Sequence, residues 1–155
     1  MKNVAHKINT LYHLTQELAK WEREDFWDNL LAKAVKMFGA SFGLVLLYDQ
    51  AVRVMKVEAG VGHSLDTLKT LRYKTSQGLP GKVAALGRGL VVKDTKWEPL
   101  FMDLGSQALS LMIAPIASHG QVWGVISLES DKRANFTKQD LKILTVLAGY
   151  TGLFR

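Results

Sequence analysis

The side chains able to carry acid–base, metal or nucleophilic chemistry are scattered along this 155-residue chain. Two of its four histidines, His6 and His13, occupy a predicted helix surface, His63 a loop and His119 a turn, and no two stand at a helical metal-ligand spacing. No serine sits in a nucleophile-elbow sequence, and no Ser, His and carboxylate are placed together by local sequence. Paired carboxylates are equally missing from any candidate pocket. The absence of cysteine excludes disulfides, thiolate zinc sites, thiol nucleophiles and thioether attachment of a cofactor. In GVGHS, from Gly60 to Ser64, the third glycine of a dinucleotide fingerprint is missing. These patterns offer no catalytic set and no metal site, and the cofactor is left unknown. What they do offer is binding chemistry. Met112, Ser127 and Glu129 form a small polar end to an apolar hairpin, and Leu79-Pro80-Gly81 opens a helix whose free N–H groups near Gly81 would favour an acceptor or anion.

The elements that must position these residues centre on Leu109 to Ser130, LSLMIAPIASHGQVWGVISLES. Two apolar, β-branched runs flank His119-Gly120, and Gly in the second turn position supplies the positive φ of a tight hairpin. Closing the turn with Ser118 and Gln121 pairs Ala117 with Val122, Pro115 with Gly124, Ile113 with Ile126 and Leu111 with Leu128 on one apolar face. The opposite face pairs Ile116 with Trp123, Ala114 with Val125, Met112 with Ser127 and Ser110 with Glu129. That second face becomes small and polar, which suits a cavity. Pro115 requires a bulge or strand end beside it.

Along Asn3 to Lys20, Val4, Ile8, Leu11, Thr15 and Leu18 alternate by four and three, the seam of a two-stranded coiled coil. This predicts a dimer contact, against the alternative of an amphipathic helix lying on its own domain. Phe26, Leu30, Leu31, Ala34, Met37 and Phe38 form a broader stripe ending at Gly39. Phe42 to Tyr48 reads as a central strand buried on both faces, and Val52 to Ala59 as its hairpin partner. His63 to Glu98 is irregular and basic, with a short helix carrying Leu65, Leu68 and Leu71. A second helix runs through Leu86, with Pro80 in its first turn. Leu90 to Lys93 is a strand, and Lys96 to Gln107 a loop with one helical turn. Thr137 and Asp140 form a capping box for a final helix with two stripes: Leu141, Leu144, Ala148, Thr151 and Ile143, Leu147, Tyr150, Phe154. The second stripe is a candidate for meeting a partner.

The length fits one domain, and the hydrophobic fraction of 48% suffices for a substantial core. No apolar run approaches the roughly 20 residues of a membrane span, and the N-terminus lacks a signal-peptide core, so a cytoplasmic location is expected, with no membrane partner. The net charge of +6 is dispersed, without the aromatic–basic interleaving of a nucleic-acid surface, which argues against nucleic acid as a partner.

The run LMIAPIASHGQVWGVISLES followed by NFTKQDLKILTVLA strongly resembles the end of a GAF domain: a strand with proline, a glycine turn, a Gly-Val strand, then Phe, a gap, Asp and an apolar helix. Leu79-Pro80-Gly81, the strand ending at Asp94, and Phe42 to Asp49 match as well, so the resemblance extends from Phe26 onward. It implies an α+β fold, a central antiparallel sheet of five or six strands flanked by helices on both faces, GAF-like and PAS-related. Residues 1–22 would form an N-terminal helix serving as dimer contact, and residues 23–155 the sensory domain. The resemblance further implies a non-catalytic regulatory module of a bacterial signal-transduction protein, holding a small molecule between sheet and insertion. It would signal through a helix-mediated homodimer to an output domain such as a kinase or diguanylate cyclase. Asp131-Lys132 and Phe136 match the cyclic-nucleotide-binding motif in part, but Asp140 is followed by Leu141. Members that attach bilins or reduce free methionine sulfoxide use cysteines, which this chain lacks. The resulting expectation is a cavity lined by Leu79, Val83, Asp94, Trp97, Met112, Val125 and Ser127, with Lys74 or Lys82 at its mouth favouring an anionic or carbonyl-bearing ligand. A ligand-free dimerisation scaffold with these side chains packed solid is the alternative, and an enzyme a third.

Overall fold

The computed structural model describes residues 4–49 and 51–154. The strands are β1 Phe42–Asp49, β2 Val54–Val61, β3 Arg72–Lys74, β4 Leu90–Val92, β5 Ser110–Ser118 and β6 Gln121–Ser130. They form one sheet in the order β3-β2-β1-β6-β5-β4, every neighbouring pair antiparallel. The helices are α1 Val4–Leu18, α2 Phe26–Met37, α3 Leu65–Thr70, α4 Gly78–Leu86 and α5 Lys138–Thr151. The class is α+β, with helices on both faces. β1 lies in the middle because its apolar residues serve both: Val45 joins the core under α1, α2 and α5, while Leu46 and Tyr48 join the core under α4.

Helix ends follow local chemistry. Gly39 and Gly87 take left-handed φ of +63° and +68° after α2 and α4. Thr137 Oγ1 accepts from Asp140 N–H at 3.0 Å while Asp140 Oδ2 accepts from Thr137 N–H at 2.9 Å, completing the expected capping box of α5. β3, only three residues long, was not expected from the irregular basic stretch that contains it.

The β5–β6 hairpin turns at His119-Gly120, both at positive φ, with Ser118 opposite Gln121 and Ala117 opposite Val122 as expected. Beyond that point the expected register is off by one. Trp123 is an extra residue, so Ile116 pairs with Gly124, Ala114 with Ile126, Ile113 with Ser127 and Met112 with Leu128. The bulge is held where the Trp123 Nε1–H donates to Ser118 Oγ at 2.9 Å. Just past it, β1 crosses so closely that a Cβ on Gly124 would sit 1.9 Å from the Leu46 carbonyl oxygen, a gap that glycine alone fits. Pro115 faces Val125 and has no ladder partner on its other side, since the described β4 pairing stops at Ile113. A one-residue slip exchanges faces. Met112, Ala114 and Ile116 therefore meet the three-helix side, and Leu111 and Ile113 the other.

Against its own domain α1 buries a stripe that shares only Leu18 with the predicted seam and leaves the start of that seam exposed. Lys7, Leu14 and Leu18 are buried, whereas Val4 and Ile8 are 42% and 52% exposed. The Lys7 ammonium reaches Asp140 at 2.5 Å, both side chains nearly buried, which pins the start of α1 to the start of α5. Tyr150 near the end of α5 donates to the Thr15 carbonyl at 3.4 Å, so the two helices run parallel, side by side. Both α5 stripes are largely consumed by the domain itself: Ile143, Leu144, Leu147, Ala148 and Thr151 are buried, and Leu147 is not available to a partner. The side chain of Phe154 lies outside the described residues.

Candidate functional site

On the α4 side of the sheet a small cavity of about 30 Å³ lies between the strands and the segment 98–107. Its walls are leucine-rich, from Leu44 and Leu46 of β1, Leu79 of α4 and Leu111 and Ile113 of β5, with Phe101 and Leu104 above. Its polar end is Ser127 and Glu129 of β6 with Tyr73 of β3. Period-two alternation along β6 puts Val125, Ser127 and Glu129 on this one face.

The covering segment is tied at its base. Thr95 N–H donates to Leu109 O at 3.0 Å and Thr95 Oγ1 to Ala108 O at 2.9 Å. Between these ties the chain is shaped by its own carboxylates: Glu98 accepts from Leu100 N–H, and Asp103 from Gly105 and Gln107 N–H. Leu100 and Met102 line the cavity yet are 39% and 49% exposed, so this cover is thin.

Glu129 is a buried carboxylate whose Oε1 is 3.0 Å from His63 Nε2, and the His63 side chain is completely enclosed. Phe42 lies against the imidazole, 5.9 Å between ring centres. His63 Nδ1 and Ser106 Oγ are buried with no hydrogen-bond partner among the described residues. Burial, and after it the charge of Glu129, pushes the Tyr73 phenol above its usual value. No group of His, Asp and Glu among the described residues is arranged to hold a metal ion.

Of the predicted lining, Leu79, Val83, Val125 and Ser127 share this side of the sheet, Leu79 and Ser127 at the cavity wall and Val83 and Val125 in the core beside it. Met112 is on the opposite face, moved there by the Trp123 bulge. Asp94 is engaged elsewhere, capping Lys96 N–H at 3.0 Å and pairing with Arg133 at 3.2 Å. Trp97 points outward, 74% exposed, with the Lys96 ammonium over its ring. Lys74 is exposed and neither it nor Lys82 lines the cavity. The Gly81 N–H is not free but donates to Gln77 O at 2.9 Å. The predicted lining missed Leu44, Leu46, Tyr73, Leu111, Ile113 and the cover residues of the wall, and beside the wall it missed His63. Its partner is 66 positions away, and only the β1 pairings, Phe42 with Glu129 and Gly43 with Val61, bring the two ends together.

A six-stranded antiparallel sheet with three helices on one face and a thinly covered, polar-ended cavity on the other defines the class of this α+β domain. The family model for the GAF domain matches residues 22–153, and the chain belongs to that family. It is 30% identical over 118 residues to nitrogen fixation protein VnfA of Azotobacter vinelandii, covering 70% of this chain and 23% of that protein. It is 29% identical over 110 residues to a Nif-specific regulatory protein of Azospirillum lipoferum, covering 64% of this chain and 18% of that one. The chain thus spans about a fifth of the length of these relatives. Among solved structures, the GAF domain of a phosphoenolpyruvate-protein phosphotransferase from Coxiella burnetii superposes with TM-score 0.90 at 18% identity, covering 98% of this chain and 94% of that one. A free methionine-R-sulfoxide reductase from Neisseria meningitidis, in complex with its substrate, gives 0.87 at 21%, covering 99% and 90%. No helix among the described residues is long and apolar enough to cross a membrane.

Proposed function

We propose that this GAF domain is a non-catalytic sensor that binds a small molecule in the cavity under residues 98–107 and passes the event on through α1 and α5 in a homodimer. The carrying observation is the pairing of apolar walls with one buried polar end, the composition of small-molecule sites. The regulatory relatives support a place in a bacterial regulatory protein, which we take to be cytoplasmic and to carry an output domain such as a kinase or diguanylate cyclase. At about 30 Å³ the void is sized for ordered water. Binding then requires the thin cover to lift between its two ties at Thr95. The same small volume favours the second reading, a dimerisation scaffold that binds nothing.

Thermal melting against a metabolite panel separates the two, because a ligand of the native state raises its stability. Ser127→Phe, which fills the cavity, is expected to abolish any such rise while leaving a cooperative transition. A panel without effect on the wild type rejects the sensor.

The proposed dimer surface consists of Val4, Ile8 and Tyr12 of α1 with Val146 and Leu153 in and just beyond α5, all exposed apolar side chains on two parallel, adjoining helices. A two-fold copy would complete a four-helix contact. Ile8→Glu combined with Tyr12→Glu is expected to give a folded monomer by light scattering. A mass unchanged by the pair removes this face from the interface.

A further inference from the structure

We propose that the cavity selects a small organic cation, an apolar body bearing a primary ammonium group that Glu129 accepts. The inference rests on the sensory reading and gives it a ligand class. It reverses the anionic preference expected from Lys74 and Lys82.

The first argument is sign. Of the residues lining the cavity, Glu129 is the one that carries a formal charge, and neither lysine reaches the wall. An anion would have to enter a low-dielectric space already holding a carboxylate, where like charges repel far more strongly than in water.

The second argument is hydrogen-bond stoichiometry. A carboxylate offers about four lone-pair positions. His63 occupies one, and among the described residues it is the single side chain bonded to Glu129. An ionised carboxylate can only accept, so His63 Nε2 is the protonated nitrogen in this contact. The other ring nitrogen, Nδ1, is buried without a partner among the described residues and brings no donor to Glu129. With one position taken, the polar end of the site holds surplus acceptors on a buried carboxylate. An ammonium supplies three donors and the opposite charge together.

The third argument concerns the body of the ligand. Leu44, Leu46, Leu79, Leu111 and Ile113 offer no hydrogen bonds, and Phe101 closes over them. A short branched alkyl group matches the chemistry of that surface once the cover of residues 98–107 has lifted to make room for it.

Isopentylamine, isopentanol and isovalerate share this alkyl body and differ only in the head group. With the intact chain at neutral pH, calorimetric titration and thermal melting are expected to show binding of the amine, with the alcohol weaker by about tenfold or more, the order expected for losing a charge-assisted hydrogen bond, and no binding of the acid. Glu129→Gln is expected to erase the amine's advantage over the alcohol. Should that variant fail to fold, the ranking of the three probes on the wild type still decides. Preference for isovalerate, equal binding of amine and alcohol, or binding of none overturns the assignment. The sensory reading falls separately, only if the wider metabolite panel is also without effect.

Discussion

The two faces of the sheet are built to different standards. Under α1, α2 and α5 the core is continuous and apolar from Leu14 and Phe26 through Met112, Ile126 and Leu128 to Leu144, and the charged pair at its margin, Lys7 with Asp140, is bonded on both sides. Under α4 the core is smaller, borders a void, and includes a buried Glu129, an enclosed His63 and two polar atoms with no partner. A protein interior ordinarily satisfies its polar groups, because each one left unpaired costs free energy. The contrast teaches that one face carries the stability that lets the other remain imperfect, and imperfection of this kind is what a ligand can complete.

That division can be broken or sharpened by substitution. The largest loss is expected from Ile126→Ala on the three-helix face, about 4 kcal/mol in denaturant unfolding, because rigid helices on that side cannot collapse into the hole. Next is Lys7→Met, about 3 kcal/mol, since it strands Asp140 in a buried position with only its capping bonds. Ile113→Ala, equally buried but beside the cavity, is expected to cost only about 2 kcal/mol, because the thin cover of residues 98–107 can settle inward. If Ile113→Ala costs as much as Ile126→Ala, the two faces are equally well packed and the contrast fails. Tyr73→Phe has the smallest effect at neutral pH. Burial and Glu129 raise the native phenol above its unfolded value near 10, so unfolded chains lose this proton first. The stabilising contribution is full below about pH 10 and is lost as pH rises through the native value, and the phenylalanine variant should lack that alkaline decline.

Sequence pattern reveals most of the three-helix face, because its stripes are long and periodic: α2 from Phe26, the apolar β1 and the Thr137–Asp140 capping box all appear where expected. On α1 the stripe that packs on the domain is harder to read, because a buried lysine occupies it. Lys7 counts as polar in any periodicity, and its neutralising partner stands 133 residues away. The cavity face is harder to read. Ser127 and Glu129 are placed together by strand alternation, but Met112 was assigned to the wrong face by a bulge that has no signature beyond one indole reaching back to Ser118. Asp94 and Trp97 lie next to the site in sequence yet are drawn away by a local cap and by solvent. His63 is invisible locally, since two strand pairings must form before it meets Glu129.

The Trp123 bulge also bears on which changes in chain length the hairpin can survive. Because Trp123 is the surplus residue, removing its codon leaves Ala117 opposite Val122 and Ile116 opposite Gly124, now in a regular ladder, and everything beyond keeps its face. Removing the codon for Ile126 drags one side of the strand by a position, turning Glu129 toward the helices and Leu128 toward the cavity, or else Val125 toward the helices. In a library of in-frame single-codon deletions, Trp123 is therefore the place in β6 where a gap is tolerated, and from Gly124 to Glu129 the strand is intolerant of any.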